Sequence, residues 1–155
     1  MEYQVRAARA TDVDRIVALC DDAGSGVRSA GPLNAADLLR QLVYLPQASV
    51  LVAEARREIV GGAVLALRPS VFAGGYVGTV DLLVVDPNED IGPVSDVLIE
   101  EILRSARNKG CCIVEAPYPD EPAAQDIWER HGFSGTRPRL ERTVETAQAG
   151  VRQAR

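Results

Sequence analysis

Apolar residues recur along the chain with two different periods, and each period predicts one kind of element. Residues 80–85 (VDLLVV) form a β-branched-rich run of strand length, and Asp86-Pro87 ends it because proline cannot donate to a strand ladder. From Pro93 onward apolar residues return every three or four positions as far as Gly110, which predicts a helix with one apolar face. A strand that leads through a turn into a helix N-terminus is a common place for proteins to hold phosphates.

The other apolar runs predict a strand, two helices and a hairpin before this centre, and a strand, a short helix and a last strand after it. In chain order they are 3–8, a helix beginning at Thr11, a helix after Asn34, 49–55, 59–67, 112–116, 123–131 and 139–144. One strand–helix–strand crossover, at 80–116, joins otherwise hairpin-rich strands. The order predicts an α+β fold with a mixed, mostly antiparallel central sheet flanked by helices. We expect residues 1–145 to form a single domain and residues 146–155 to be a polar tail that frays.

Composition and charge exclude several classes of protein. A chain of 155 residues with 46% hydrophobic and 25% charged residues is typical of one globular domain. Its net charge of -5 argues against nucleic acid as a partner, because binding phosphates needs a basic surface. No apolar run has the length that a membrane helix needs, and the first residues do not resemble a signal peptide. We expect a cytoplasmic protein that does not bind membranes.

The three cysteines do not have the spacing of metal ligands. Cys111 and Cys112 are neighbours, so on a strand they would face opposite sides, and Cys20 is far from both in sequence. Buried thiols that pack as small hydrophobic side chains are favoured over a redox pair. The sequence predicts no metal site.

Three short segments, in this order, resemble the GNAT acyltransferase family over nearly the whole chain. They are Ile59-Val60-Gly61 at the start of a hairpin strand, Leu83-Val84-Val85-Asp86-Pro87 at the end of the central strand, and Gly132-Phe133 after the last helix. The resemblance implies a GNAT-like fold and an activity that transfers an acetyl group from acetyl-CoA to an amine. It also implies that the backbone of Leu83, Val84 and Val85 pairs with the pantetheine arm of acetyl-CoA, and that amides of the following turn hold its pyrophosphate.

The turn itself departs from the family pattern, which has a basic or amide residue, two residues, Gly, one residue, and then Gly or Ala. The corresponding residues here are Asp90, Ile91, Gly92, Pro93, Val94 and Ser95. Asp90 places a negative charge beside the expected pyrophosphate, and Pro93 removes an amide donor. The amides of Gly92, Val94, Ser95 and Asp96 are left for a weakened anion site. The alternative is a plain helix start in which the Asp90 carboxylate itself satisfies the helix dipole.

The candidate catalytic residues also depart from the family. Trp128 stands where the resemblance implies a tyrosine acting as general acid, and an indole cannot deliver a proton, so it is expected to line the cleft or the core. Tyr118 is the nearest phenol and is either a substitute acid or a structural turn residue. Asp81 is either a general base acting through water or a paired surface carboxylate. His131 is expected to have a structural role at a helix end.

Three possibilities remain open at this stage, and the weakest is an unrelated α+β domain, such as a subunit of a larger assembly. The first is an acetyl-CoA-dependent N-acetyltransferase whose acceptor is an amine of a small molecule or a protein, with proximity supplying much of the rate. The second is a non-catalytic GNAT-like binding or regulatory module that has lost efficient use of acetyl-CoA, because the departures fall on mechanistic positions. An exposed last strand at 139–144 makes a homodimer a further expectation.

Overall fold

The structure is a computed structural model that describes residues 2–23, 31, 33–135 and 138–144. Its elements in chain order are β1 (Gln4–Ala7), a 3-10 turn (Ala10–Asp12), α1 (Val13–Asp22), α2 (Ala35–Leu42), β2 (Ala48–Ala55), β3 (Glu58–Ser70), β4 (Gly75–Val85), α3 (Ile91–Asn108), β5 (Cys111–Glu115) and α4 (Pro122–Arg130). The strands form one sheet in the order β1-β2-β3-β4-β5. The first four strands are antiparallel neighbours, and β5 is parallel to β4. The predicted α+β class, with one crossover through the long helix, is confirmed.

Helices cover both faces of the sheet. The apolar stripe of α3, which includes Val94, Leu98 and Ile102, is fully buried against one face. Helices α1 and α2 cover the other face, where Ile16 and Leu39 pack on the middle strands. The burial of apolar area on two sides makes the sheet the centre of the core and explains why β2 and β3 read as nearly continuous hydrophobic runs.

Gly61 lets α3 approach the sheet closely. A Cβ atom at this position would lie 2.9 Å from the Cγ1 atom of Val94, 3.1 Å from the Cδ1 atom of Leu98 and 3.1 Å from the carbonyl oxygen of Val84. A glycine pair within a strand is typical of a bulge or of a close approach by another backbone, and at Gly61 the structure has the close approach. The neighbouring Gly62 faces Ile16 of α1 at an ordinary van der Waals distance of 3.6 Å.

Strand β4 contains a β-bulge at Asp81. Val80 pairs with Leu65 and Leu82 pairs with Val64, which leaves Asp81 as the extra residue. Val80 packs with the α3 side of the core, and Leu82 packs with the α1 side. The bulge therefore changes which residues of β4 face α3, and it leaves the Asp81 side chain exposed.

Several element boundaries differ from the sequence prediction. Residues 138–144 form no strand and pair with none of the five strands of the sheet, so Leu140 and Val144 are left largely exposed. The strands extend beyond the predicted runs 59–67 and 80–85, because β3 continues to Ser70 and β4 begins at Gly75. Helix α1 begins at Val13, after a 3-10 turn that ends at Asp12. The Asp12 carboxylate accepts from the Arg9 amide at 2.8 Å. The N-cap of α1 is Asp12 and not Thr11. The predicted tail at 146–155 lies outside the described residues.

The prediction that the cysteines are buried holds only for Cys20. Cys111 is half-buried, and Cys112 is exposed. The register of β5 on β4 shifts at this point, because Tyr76 pairs with Cys111 and the next residue of β4 pairs with Ile113. Cys112 is the extra residue of this irregularity, so its side chain is turned out of the core.

Candidate functional site

Strands β4 and β5 are paired along only part of their length. The pairing begins at Tyr76 with Cys111 and ends at Thr79 with Glu115. Strand β4 then continues to Val85, and in this part its pairing within the described residues is with β3 alone. The outer edge of β4 from residue 80 to residue 85 is therefore open, and we call the space beside it the β4–β5 gap.

The gap offers a peptide backbone more than side chains. Leu83 is half-buried against the α3 side of the core, and Val84 and Val85 are buried. Because these side chains are already packed in the sheet, an extended ligand in the gap would meet mainly N–H and C=O groups. The residues that the resemblance implies for the pantetheine arm thus lie on an open strand edge.

Asp81 lies on the part of β4 that β5 does not cover. Its carboxylate is exposed at the bulge and has no hydrogen bond or ion pair within the described ranges. It is therefore not the arginine-paired carboxylate of the structural interpretation. Alternation along the strand does not show which way the Asp81 side chain points. The bulge explains why this charged residue, within a buried strand, reaches solvent.

The turn between β4 and α3 satisfies most of its own amides. Within it, the Asn88 amide donates to the Asp86 carboxylate at 2.9 Å, and the Glu89 amide donates to the Asp86 carbonyl oxygen at 2.9 Å. Helix α3 begins at Ile91, and the carboxylate of its N-cap, Asp90, accepts from the Gly92 amide at 3.3 Å. The helix thus caps itself with its own acidic residue, which was the alternative to a phosphate-binding turn.

Few donors remain at the start of α3. A helix leaves the amides of its N-cap and first three residues without partners inside the helix. Of these, Gly92 is used by Asp90 and Pro93 has no amide hydrogen. The Val94 amide already donates to the Asp90 carbonyl oxygen at 3.4 Å, and Ser95 and Asp96 lie further inside the helix. The open amides are those of Asp90 and Ile91, fewer than the sequence predicted.

Carboxylates outnumber cations around this turn. Asp86 is paired with Arg15 of α1 at 3.0 Å, and Glu89 is paired with Arg56 of the β2–β3 hairpin at 2.7 Å. Asp90 is exposed, so its charge faces solvent at the helix start. An approaching pyrophosphate would meet this unpaired negative charge.

The C-terminal end of α4 is fixed to the first turns of α3. Nε2 of His131 lies 2.8 Å from Oδ1 of Asp96, and Arg130 reaches the same carboxylate at 3.2 Å. These contacts give His131 the structural position that the sequence favoured. They also use the side chain of Asp96, a residue whose amide was expected near the pyrophosphate.

The aromatic residues of this region have different environments. Trp128 packs partly buried against the α3 side of the core and meets Phe133 edge to face, with ring centroids 4.9 Å apart. Tyr118 is 64% exposed and lies in the segment after β5. Trp128 is a packed aromatic, as its position predicted, and the catalytic role of Tyr118 stays a prediction.

Glu115 is a charged residue at the gap that sequence reasoning did not single out. It is the last residue of β5 paired with β4, and its Oε1 atom accepts from the Thr79 hydroxyl at 2.9 Å and from Arg68 at 3.2 Å. Burial raises the pKa of Glu115, but the Thr79 and Arg68 hydrogen bonds outweigh burial and hold the pKa below its ordinary value. In the sequence, the feature that could have drawn attention to Glu115 is that it is the one charged residue of an otherwise apolar strand, β5.

A polar cleft at the other side of the sheet is built mainly from ion pairs. Its volume is about 480 Å³, and its lining residues are Arg6, Asp12, Arg15, Glu54, Arg57, Glu58 and Ile59. Arg6 donates to both Asp12 and Glu54. This hydrogen bond from Arg6 holds the pKa of Asp12 below its usual range, although burial acts in the opposite direction. The cleft contains no residue of β4 or β5, so the candidate site is the gap.

The described part of the chain contains neither a metal-binding cluster nor a helix that could cross a membrane. No group of histidine, cysteine and acidic side chains there is arranged to hold a metal ion. None of the described helices combines the length and the apolar character that crossing a membrane requires.

Solved structures share this architecture. A transcriptional regulator from Bacillus halodurans C-125 is similar with a TM-score of 0.77 and 20% identity, covering 91% of this chain and 99% of that one. A putative acetyltransferase from Agrobacterium tumefaciens str. C58 has a TM-score of 0.74 and 16% identity, covering 89% and 97%.

An aminoglycoside acetyltransferase from an uncultured soil metagenomic sample, solved with sisomicin, has a TM-score of 0.73 and 16% identity over 92% and 97%. No protein-family profile and no curated protein sequence matches this chain. At these identities the likeness concerns the fold, and the chain has the GNAT-like fold that these acetyltransferases share.

Proposed function

We propose that the protein is an acetyl-CoA-dependent N-acetyltransferase that acts on an amine of a small molecule or a protein. The observation that carries the proposal is the β4–β5 gap, where β4 runs on from Thr79 to Val85 without β5 beside it. An open strand edge recognises an extended, amide-containing arm by the same hydrogen bonds that would join another strand. The pantetheine arm of acetyl-CoA has this character, so the gap fits it.

The reaction needs little covalent chemistry from the protein. The amine nitrogen bonds to the thioester carbonyl carbon, the C–S bond breaks, and the amine loses a proton while the leaving thiolate gains one. Holding the two reactants in line can supply much of the rate. Asp81 is exposed beside the gap and is our candidate acceptor of the amine proton through water. Tyr118 is our candidate donor to the thiolate, because the indole of Trp128 has no proton to give.

A second candidate function rests on the β4–α3 turn. The Asp90 carboxylate accepts from the Gly92 amide, which is the bond that a self-capped helix makes in place of binding a pyrophosphate. A GNAT-like module that binds an extended partner in the gap, without using acetyl-CoA efficiently, fits this turn. The two functions differ in whether acetyl-CoA binds and turns over.

Binding of acetyl-CoA and of acetyl-pantetheine, which lacks the pyrophosphate, separates these functions. Thermal unfolding should be recorded with each ligand, followed by calorimetry. For an enzyme that binds through the gap, both ligands stabilise the protein, by about 2.7 kcal/mol at 100 times the dissociation constant. Their affinities should agree within about threefold, because the turn adds little to binding of the pyrophosphate.

Two control ligands, measured on the same protein, show which part of acetyl-CoA is recognised. CoA without the acetyl group should bind with similar affinity, and adenosine 3′,5′-bisphosphate should bind much more weakly. If millimolar acetyl-CoA and acetyl-pantetheine both leave the unfolding temperature unchanged, the acetyltransferase proposal is wrong. If both bind but no amine in a broad panel is acetylated, the non-catalytic module is favoured.

A further inference from the structure

Glu115 lies where β4 and β5 separate, at the end of the gap in which the thioester is proposed to bind. It is the partner of Thr79 in the last pair between the two strands. Its side chain is about one-third exposed, at 36%. The side chain is therefore tied to the sheet by its hydrogen bonds and is still partly accessible at the end of the β4–β5 pairing.

The hydrogen bonds of Glu115 fix the carboxylate without using all of it. The Thr79 hydroxyl and Arg68 both donate to the same atom, Oε1. The structure gives Oε2 no hydrogen-bond partner in the described part of the chain, although a carboxylate accepts several. Arg68 is itself 53% exposed and makes a single contact of 3.2 Å, the kind of surface pair that contributes little.

The chemistry of amine acetylation limits what such a carboxylate can bind. The attacking amine must be neutral, and a carboxylate bonded to its ammonium form would hold the proton in place. A stable ion pair with Glu115 is therefore compatible with reaction only if it involves a second cationic group of the acceptor. The reacting amine can then transfer its proton, through water, to Asp81, which lies two residues beyond Thr79 in β4.

We propose that Glu115 determines acceptor specificity by binding a second, non-reacting cationic group, so that the acceptor is a diamine or a related polycation. This inference rests on the proposed acetyltransferase function and adds the class of acceptor. Thr79 positions the carboxylate, and Arg68 competes with the acceptor for its charge, with a smaller electrostatic contribution from Arg139. The net charge of -5 also favours a cationic ligand over an anionic one.

The test compares 1,4-diaminobutane with butylamine, which has the same carbon chain and a single amine. Both are measured on the whole protein as acceptors with acetyl-CoA, and as ligands alone by calorimetry. The wild-type protein should prefer the diamine by about tenfold, as one charge-assisted contact provides. Glu115→Gln should abolish that preference, while Glu100→Gln, which removes an exposed carboxylate of α3, should leave it unchanged.

Arg68→Gln distinguishes recognition from a merely structural role. If Glu115 binds the acceptor, removing its competitor strengthens the diamine preference by about threefold, opposite in sign to Glu115→Gln. If the carboxylate serves only as a partner for Arg68, both variants change the protein in the same direction and leave the preference unchanged. That second result, or a wild-type protein that binds diamine and monoamine alike, overturns the inference.

The two proposals fail in different ways in this experiment. Absence of acetyl-CoA binding with retained, Glu115-dependent diamine binding overturns the acetyltransferase function and leaves the cation site in place. Binding of acetyl-CoA and turnover of monoamines and diamines at equal rates retains the acetyltransferase and overturns the specificity role of Glu115. Unfolding temperatures of all variants check that each one is folded.

Discussion

The open edge of β4 beside the β4–β5 gap and the β4–α3 turn follow each other in the chain. They differ in whether their backbone hydrogen-bonding groups already have partners. In the gap, β4 leaves its outer edge open from residue 80 to residue 85. In the turn, the Asn88, Glu89 and Gly92 amides are satisfied locally, by Asp86 and Asp90. One region is open to a partner, and the other is largely closed on itself.

For the proposed ligand, acetyl-CoA, the two regions correspond to two different kinds of recognition. An extended arm is recognised by strand backbone, which any sequence that keeps the strand supplies. A pyrophosphate requires free amides and suitable charge, so replacement of one or two side chains removes its site. A protein can therefore retain the first kind of recognition while it loses the second.

The largest effect is expected at the junction of the two regions. Gly61→Ala would place a methyl group 2.9 Å from Val94 and 3.1 Å from the Val84 carbonyl oxygen, so α3 must move away from β3. We expect a loss of about 1–3 kcal/mol in the free energy of unfolding, measured with urea. Gly62→Ala is the matched control, because its methyl group would meet Ile16 at 3.6 Å, and it should cost clearly less. Equal losses would contradict the close seat of α3.

The next largest effect is expected in the β4–α3 turn, where changing the charge at Asp90 should make the turn more favourable for binding a pyrophosphate. Asp90→Arg removes a like charge and adds an opposite one beside the expected pyrophosphate, so acetyl-CoA affinity should rise about tenfold at low salt. Asp90→Asn keeps a capping oxygen for the Gly92 amide and removes only the charge, so its gain should be smaller. Affinity for acetyl-pantetheine should not change in either variant. An unchanged acetyl-CoA affinity would mean that the pyrophosphate does not lie at this turn.

The smallest effect concerns the charge beside the gap. The pKa of Glu115 is lowered in the folded protein, so the ionised form adds stability that is present above the pKa of an unfolded glutamate and is lost as pH falls through the folded value. Wild-type protein should therefore lose a few tenths of a kcal/mol relative to Glu115→Gln between about pH 5 and pH 3, after allowance for exposure. Urea unfolding of both proteins at several pH values measures the difference. Parallel curves would show that the Thr79 and Arg68 contacts do not favour the charge.

The sequence predicts the parts of this fold that depend on local pattern. The strand that ends at Val85, the long helix up to Asn108 and the N-cap of α2 at Asn34 all follow from periodicity and capping chemistry. The predicted last strand at 139–144 failed, since local alternation does not show whether an apolar face finds a surface to cover it. The end of the β4–β5 pairing at Glu115 was equally out of reach, because pairing between strands that are distant in sequence depends on tertiary twist.

At the site, residue identity predicted which charges are present but not how they are arranged. Asp90 is the N-cap of α3 and accepts from the Gly92 amide, and the weakened anion site stays a prediction. The exposure of Asp81 depended on a bulge, which has no reliable sequence signal here. Glu115 was missed because its interest comes from its neighbours Thr79 and Arg68, which are far from it in the chain.

The bulge at Asp81 also has a consequence for comparing this chain with others. Because one residue is inserted there, even-numbered positions of β4 face α3 up to Val80 and odd-numbered positions do so from Leu83 onward. An ungapped alignment with a strand that lacks the bulge will match inward residues of one protein with outward residues of the other, which lowers the sequence identity. Deleting a single codon at this point would restore uninterrupted alternation. Whether β4 contains the bulge therefore depends on the number of residues in the strand more than on the chemistry of its side chains.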